Sequence, residues 1–381
     1  MLLAQNIKQF IKNLPIAMLY GSLLLLLYVC ICMPVVGALF GLLFALARWK
    51  KNDALLDSAW GLGFIAIAMA SALIGSLPAA VLHYGTKRLA ISLFFSLLAV
   101  FFALAAFIVC CIQRQKPKAA YLFVLLLVPL LLIISRISEI GMGHCSTFIN
   151  CLFAAGAALA TALVVVWGVR ITIYLHTRSW HKPEDERYAM MRKQLDIKNA
   201  ITHFFSIFLP QGIAMLVIVY PVVLTNIYGC SAHIPTFFGY TLPAAPFTLV
   251  PYPIAKTTLM IIAFAIWLIG FACEAIADFQ LYRFKQQPAN SDRVMKSGLW
   301  RYSRHPNYFG EILMWWALWL LSLASNAGVF ALIAIVSPLL IMYLLLRVSG
   351  IPLIEKQMAH NQEYREYKRH TSMLIPWFVR G

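Results

Sequence analysis

Apolar runs of about twenty residues recur along the whole chain, and each needs surroundings that hold no water over its full length. A soluble core accommodates shorter apolar strands, or helices with a single apolar stripe. The runs here are apolar on every side, as a helix in a hydrocarbon slab must be. Charged residues make up only 12% of the 381 residues, against roughly 25% in an ordinary soluble domain. The fold class that follows is all-α: a polytopic transmembrane helical bundle with about 10 transmembrane helices.

Spans are predicted at 15–31, 35–47, 60–78, 89–112, 119–135, 150–173, 205–227, 256–276, 307–324 and 328–346. Residues 15–47 can form one long tilted helix or a short hairpin turning at Pro34, and charge placement favours the hairpin. A cleaved secretory leader is not expected, because the first apolar segment lacks a small-residue cleavage signal ahead of a polar mature domain.

Charge orients the bundle. With a cytosolic N-terminus, Lys8 and Lys12, the Arg48/Lys50/Lys51 group and Arg114/Lys116/Lys118 fall on one side, with residues 170–198, 283–304 and the C-terminal tail. That distribution obeys the positive-inside rule, although Lys87, Arg88 and Arg136 fall opposite. The expectation is a multi-pass protein of a bacterial inner membrane with both termini cytoplasmic. The net charge of +17 is then explained by orientation and by contact with anionic membrane lipids. No nucleic acid partner is expected, since zinc-finger spacing, a recognition-helix pattern and an exposed basic-aromatic patch are all missing from the sequence.

The eight cysteines form no framework. Cys30, Cys32, Cys110, Cys111 and Cys273 lie in or beside apolar spans and read as small hydrophobes. Cys145, Cys151 and Cys230 fall near the outer face, where a disulfide between two of them is one alternative. No metal-ligand spacing occurs.

Three polar segments share the cytosolic side: His176–Asn199, Asp278–Pro306 and Arg347–Gly381. The second runs into Gly298-Leu-Trp-Arg-Tyr-Ser-Arg-His-Pro-Asn-Tyr-Phe-Gly-Glu311, which crowds Arg301, Arg304, His305, Asn307 and Glu311 against the start of an apolar span. Ionisable groups at the mouth of a bundle are a functional-site hypothesis by default. Arg283, Lys285, Arg301, Arg304 and Arg347 supply guanidinium forks and a point charge for phosphate. Asp278 and Glu311 can accept from ribose hydroxyls or an amide. Snorkelling of the arginines to lipid headgroups is the alternative. Pro306 suits a first helical turn, and Asn307 and Tyr308 lie near the open N-terminus that favours an anion, with Glu311 four residues on.

Gly298–Glu311 resembles the signature of the membrane reductase family that includes steroid 5-alpha-reductases and the delta-14 and delta-7 sterol reductases, and is most similar to its DUF1295 branch. Supporting segments are Asp57-Ser-Ala-Trp-Gly-Leu-Gly-Phe64, Trp167-Gly-Val-Arg170 with Tyr174 and Arg178, and Glu184-Asp-Glu-Arg-Tyr188. The tail adds Gly350-Ile-Pro-Leu-Ile-Glu355, Tyr364-Arg-Glu-Tyr-Lys-Arg-His-Thr371 and Ile375-Pro376. The resemblance implies hydride transfer from NADPH, reached from the cytosol. It places Asn307 and Glu311 at the nicotinamide end, with Asp278 and Arg347 on the cofactor. Arg301, Arg304, His305, Tyr308, Tyr364 and Tyr367 carry over by motif position. It also divides the chain into N-terminal membrane helices, 1–56, and a reductase-like transmembrane domain, 57–377, with 119–166 as inserted helices.

Reduction of a carbon-carbon double bond conjugated to a carbonyl needs a donor at the carbonyl oxygen while hydride arrives at the β-carbon. Tyr188 beside Glu184 and Asp185 has suitable side chains, and Tyr174 competes. The same acidic run serves equally as a salt-bridged interfacial helix start. Spans lined with Phe, Leu, Trp and Ala point to a hydrophobic small-molecule substrate, an enone or polyunsaturated lipid. Two other readings stay open. Arg304-His-Pro-Asn-Tyr-Phe-Gly310 with Tyr364-Arg-Glu-Tyr367 also resembles S-adenosylmethionine-dependent isoprenylcysteine and phospholipid methyltransferases. A transporter or lipid-binding scaffold is the other, although no inverted repeat is visible.

Overall fold

In the computed structural model the described residues are 32–53, 55–83, 148–179, 186–229, 236–237, 240–241, 253–290, 293–325 and 327–378. The expected spans 15–31, 89–112 and 119–135 lie outside them, as do Glu184, Cys145 and Cys230. Pro34 sits inside a described helix, and whether 15–31 folds back on it is likewise outside. Apart from a two-residue antiparallel ladder, Thr236–Phe237 with Tyr240–Thr241, the regular structure among the described residues is helical. Five segments of these residues are long and apolar enough to cross a membrane: Cys32–Lys50, Gly156–His176, Ala200–Tyr228, Ile254–Lys285 and Val329–His360. This is an integral membrane protein. The described residues carry fewer spans than the ten expected.

Residues 307–324, expected as a span, do form helix but are not among those five. Asn307 and Glu311 in the first turns and Trp315, Trp316 and Trp319 further on dilute the apolar character of the run. Residues 328–346 are also helical but not continuous, with Pro338 sitting inside the second piece.

The chain divides into two compact units, 1–253 with 322–333, and 254–321 with 334–381. The first holds α1 (Cys32–Lys50), α2 (Leu55–His83), α3 (Phe148–Ser179), α4 (Glu186–Gln194) and α5 (Ala200–Tyr228). Helices α2, α3 and α5 pack around Phe64, Ile67, Val164, Val165, Met215, Ile218 and Val222, all buried. Phe64 meets Trp167 edge-on, ring centroids 5.5 Å apart. Where α2 and α3 cross, Gly61 and Gly168 face each other, and a Cβ on Gly168 would stand 2.8 Å from the Gly61 carbonyl oxygen. Small residues let the two backbones approach without a side chain between them.

A polar network ties the same three helices together. Thr161 Oγ1 donates to Asn226 Oδ1 at 3.0 Å, and Asn226 Nδ2 donates to the Ala68 carbonyl at 3.1 Å and to Ser71 Oγ at 2.9 Å. Every member is buried. A hydrogen-bonded network inside a bundle fixes one rotational register, because any other strands these groups in an apolar surround.

The second unit holds α6 (Pro253–Lys285, from Ile254), α7 (Pro306–Ala324, as far as Leu321), and later α9 (Val336–Tyr343), α10 (Ile351–Gln357) and α11 (Gln362–His370); α8 (Val329–Ile333) belongs to the first unit. One face of α6 buries Met260, Ala263, Trp267, Glu274, Ala277 and Asp278, while Ile254, Ile261, Ile269, Ile276 and Phe279 are exposed. Exposed isoleucines along one side of a long helix are what lipid contact requires. On the buried side α6 meets α7 at a second glycine pair, where a Cβ on Gly270 would stand 2.7 Å from the Gly310 carbonyl oxygen.

The α2–α3 crossing generates a test. Gly61→Leu should lower the thermal unfolding midpoint in detergent sharply, by an overpacking cost of about 1–3 kcal/mol or more. Gly37→Ala, where an added Cβ meets nothing within 4 Å, should leave it unchanged.

Candidate functional site

The second unit assembles its polar end from three stretches of chain. Gly298 has a φ of +64° and packs so tightly on Gln280 that a side chain there would collide with it. Only glycine meets both conditions at no cost. The turn it opens is pinned to the end of α6: the Leu299 N–H donates to Gln280 Oε1 at 3.0 Å, and Trp300 Nε1 donates to the Ala277 carbonyl at 3.0 Å. From the other side, Tyr367 on α11 donates its hydroxyl to the carbonyls of Trp300 and of Ser303, the latter at 3.1 Å. Burial pushes the phenols of Tyr364 and Tyr367 upward, so both stay protonated.

The tail then clasps residues 302–304. The Arg304 N–H donates to the Ser372 carbonyl at 2.8 Å, and Trp377 N–H to the Tyr302 carbonyl at 2.9 Å. Ser303 Oγ donates to the Leu374 carbonyl at 2.7 Å and accepts from the His305 N–H at 3.1 Å. These bonds deliver Pro306 to the first turn of α7 in a set direction. One turn in, Asn307 Nδ2 donates to Asp278 Oδ1 of α6 at 3.3 Å. The carboxylate fixes which way the amide points, leaving Asn307 Oδ1 buried with no hydrogen-bond partner. An orphaned buried acceptor is costly unless something else donates to it.

Arg304 and His305 lead elsewhere than expected. Arg304 is buried and ion-paired to Glu355 of α10, whose other oxygen accepts from Lys368 Nζ at 2.6 Å. His305 is 2% exposed, stacks on Tyr308 with centroids 5.6 Å apart, and holds Nε2 3.8 Å from Glu355 Oε1, beyond hydrogen-bond reach. Burial pulls its pKa down to about 4; Glu355 opposes that shift, while Arg304 and Lys368 add to it. At neutral pH the ring is uncharged.

Of the cations assigned to phosphate, Arg301 and Arg347 are exposed, and Arg283 is exposed with its guanidinium 5.7 Å from the Phe279 ring. Lys285 caps its own loop, with Nζ 3.3 Å from the Asn290 carbonyl and 3.2 Å from that of Arg293. Glu311 is half-buried. Sequence reasoning missed Glu355 as a functional group. Its motif was visible, but its partners are 51 and 13 residues away, and no periodicity joins them.

In the first unit, Tyr188 is buried, and its hydroxyl donates to Asp57 Oδ1 at 2.6 Å. The carboxylate that accepts from it comes from the start of α2. Tyr174 is half-buried on α3. A group not anticipated is Asp53, 3% exposed, which pairs with Arg192 and with His203 Nε2 at 2.7 Å.

Residues 142–371, more than half of the chain, match the model of the family described as Protein of unknown function (DUF1295). The chain belongs to the DUF1295 family. It is similar to methanethiol S-methyltransferase 1 of Bradyrhizobium diazoefficiens, 30% identical over 135 residues, 33% of this chain and 44% of that protein. It is also similar to 3-oxo-5-alpha-steroid 4-dehydrogenase 1 of Rattus norvegicus, 25% identical over 116 residues, 30% of this chain and 40% of that protein. The mouse enzyme of the same name is 26% identical over 120 residues, 30% of this chain and 41% of that protein. The chain thus spans less than half the length of the curated relatives it matches. No solved structure matches it.

The buried histidine makes a pH prediction for this DUF1295 protein. With a folded pKa of about 4 against an ordinary 6.5, the unfolded chain binds the proton first, so stability is full above pH 6.5 and declines as pH falls toward 4. His305→Gln should flatten that decline between pH 6.5 and 4.5, read as the unfolding midpoint in detergent. An unchanged slope would assign the acid sensitivity to other groups.

Proposed function

We propose that this protein is a membrane-embedded oxidoreductase that passes hydride from NADPH to a carbon-carbon double bond of a hydrophobic lipid or steroid-like substrate. The observation that carries this reading is the buried, donor-less Asn307 Oδ1, its amide held by Asp278. An acceptor so placed fits the carboxamide N–H of a nicotinamide. Bound there, NADPH would supply a hydride to an electron-poor carbon.

The chain's own residues divide the remaining work. Asn307 and Asp278 orient the nicotinamide end, with Glu311 one turn further along α7. The exposed guanidiniums of Arg283, Arg301 and Arg347 are the candidates for phosphate oxygens, which a guanidinium fork matches. Arg304, His305, Tyr364 and Tyr367 form the frame that holds the start of α7 in place, through Glu355 and the Trp300 and Ser303 carbonyls. Tyr188 with Asp57 is the favoured proton donor, ahead of Tyr174 and Glu184, because a carboxylate accepting its hydrogen bond orients the phenol. The similarity to 3-oxo-5-alpha-steroid 4-dehydrogenase 1 adds weight to a redox step on a ring carbonyl compound. About ten spans, cytoplasmic termini and an inner-membrane location complete this reading.

A second reading is S-adenosylmethionine-dependent methyl transfer. It is favoured by the 30% identity to methanethiol S-methyltransferase 1. Asn307 Oδ1 can equally accept from an amine. A non-enzymatic lipid-binding role draws on no observation of comparable weight.

Titration of NADPH, NADH and S-adenosylmethionine into the detergent-purified full chain, followed by calorimetry, separates the readings. NADPH should bind, and more tightly than NADH. Asn307→Ala should weaken it about tenfold, the worth of one good hydrogen bond, without moving the unfolding midpoint by more than a few degrees. Glu311→Gln should also weaken it. Binding of S-adenosylmethionine with none of either nucleotide would overturn the reductase.

A further inference from the structure

The first unit carries a second constellation of charge, apart from every group used above. A cleft of ≈ 320 Å³ is lined by Ala47, Arg48, Lys51, Asp53, Arg192 and His203. Asp53 at its floor is buried and engaged by Arg192 and by His203 Nε2 at 2.7 Å. His203 is itself held edge-on between Phe44 and Phe208, with centroids 5.4 Å and 5.6 Å away. Asp53 is thus already engaged by cationic and aromatic-packed partners. Arg48 and Lys51 are exposed and have no carboxylate partner among the described residues. Among the described lining residues, Arg48, Lys51 and Arg192 stand against one carboxylate, Asp53.

Local backbone geometry turns a lysine into this opening. Helix α1 ends with the Asn52 N–H on the Ala47 carbonyl at 3.0 Å, and Lys51, at the position where glycine ordinarily closes such a helix, has a φ of +53°. A lysine accepts a left-handed backbone there at some cost. Its placement is thus not explained by the turn.

The site also lies at the ends of membrane spans. Arg48 is in the last turn of Cys32–Lys50 and His203 in the first turn of Ala200–Tyr228. Trp49 beside them is 76% exposed, the placement of an interfacial aromatic anchor.

From this geometry we infer that the cleft binds a phosphate group, with Arg48 and Lys51 contacting its oxygens. The volume is at the small end for ligand pockets and suits a phosphate headgroup better than a whole dinucleotide. A guanidinium fork and an ammonium are the pair that recognises phosphate oxygens. The source is either an anionic phospholipid or a free phosphate, and both present the same chemistry.

The test uses the full chain, stripped of lipid in detergent. Phosphatidylglycerol binding is followed by native mass spectrometry and inorganic phosphate binding by calorimetry. Variants are Arg48→Gln with Lys51→Gly, the glycine keeping the left-handed turn so that folding is preserved, and Lys193→Gln as an exposed control outside the cleft. The double variant should weaken binding about tenfold or more, from roughly 1 kcal/mol for each basic residue near an anionic surface. Lys193→Gln should leave it unchanged. Loss with the lipid alone identifies a headgroup site; loss with inorganic phosphate identifies a free-phosphate site, and either supports the inference. Equal loss in Lys193→Gln, no loss in the double variant, or no binding of either probe to the unmodified protein overturns it. NADPH titration is independent of these results, so failure here leaves the reductase reading standing.

Discussion

Two helices that touch through glycine bring their backbones closer than any side chain allows, and the α6–α7 crossing turns that closeness into a site. Gly270 and Gly310 set the separation. Asp278 lies two turns beyond Gly270 on the same buried face of α6, and Asn307 lies one turn before Gly310 on α7. Because the helices run in opposite directions there, those displacements bring the carboxylate and amide to 3.3 Å. A side chain at either glycine would push the helices apart and break the contact that orients Asn307. The site's chemistry therefore rests on an apolar packing contact within the bundle.

The second dependency is the frame around the start of α7. An ion pair buried as deeply as Arg304–Glu355 has to recover the cost of removing both charges from water. It does so through a third partner, Lys368, and through close-packed neighbours. Its contribution is better read as fixing geometry than as adding stability: it joins α10 to the turn that leads into Asn307, while Tyr367 and the tail hold that turn from two other directions. Arg304 and Tyr367, which resemble ligand contacts by motif, reach this frame through a guanidinium nitrogen and the phenol hydroxyl. A change at a framing residue would therefore shift Asn307 without touching it.

The first unit solves a related problem differently. Its glycine crossing places α2 against α3, and Asn226 locks the register of three helices with hydrogen bonds whose members are all buried. The polar ends of the same helices carry Asp53 and Asp57. Asp53 holds Arg192 from the segment between α3 and α5 and His203 from the first turn of α5, and Asp57 holds Tyr188 from that segment. Two carboxylates four residues apart thus anchor a polar segment whose own composition favours water.

The membrane class, the helical character and five of the expected spans were legible in sequence, because burial in hydrocarbon demands long apolar runs and an internally hydrogen-bonded backbone, and both are written locally. The Gly298–Glu311 motif marked the polar end of α7 for the same reason: charged groups beside an apolar helix stand out from their neighbours in the chain. Partnership was not legible. A carboxylate that holds the Tyr188 phenol is Asp57, 131 residues away, a distance no local pattern bridges. Arg304 read as a phosphate ligand, yet Glu355 takes it. Local pattern records how much water a residue tolerates, whereas which polar atoms meet depends on the distance and register at which helices cross, and only the folded chain sets those.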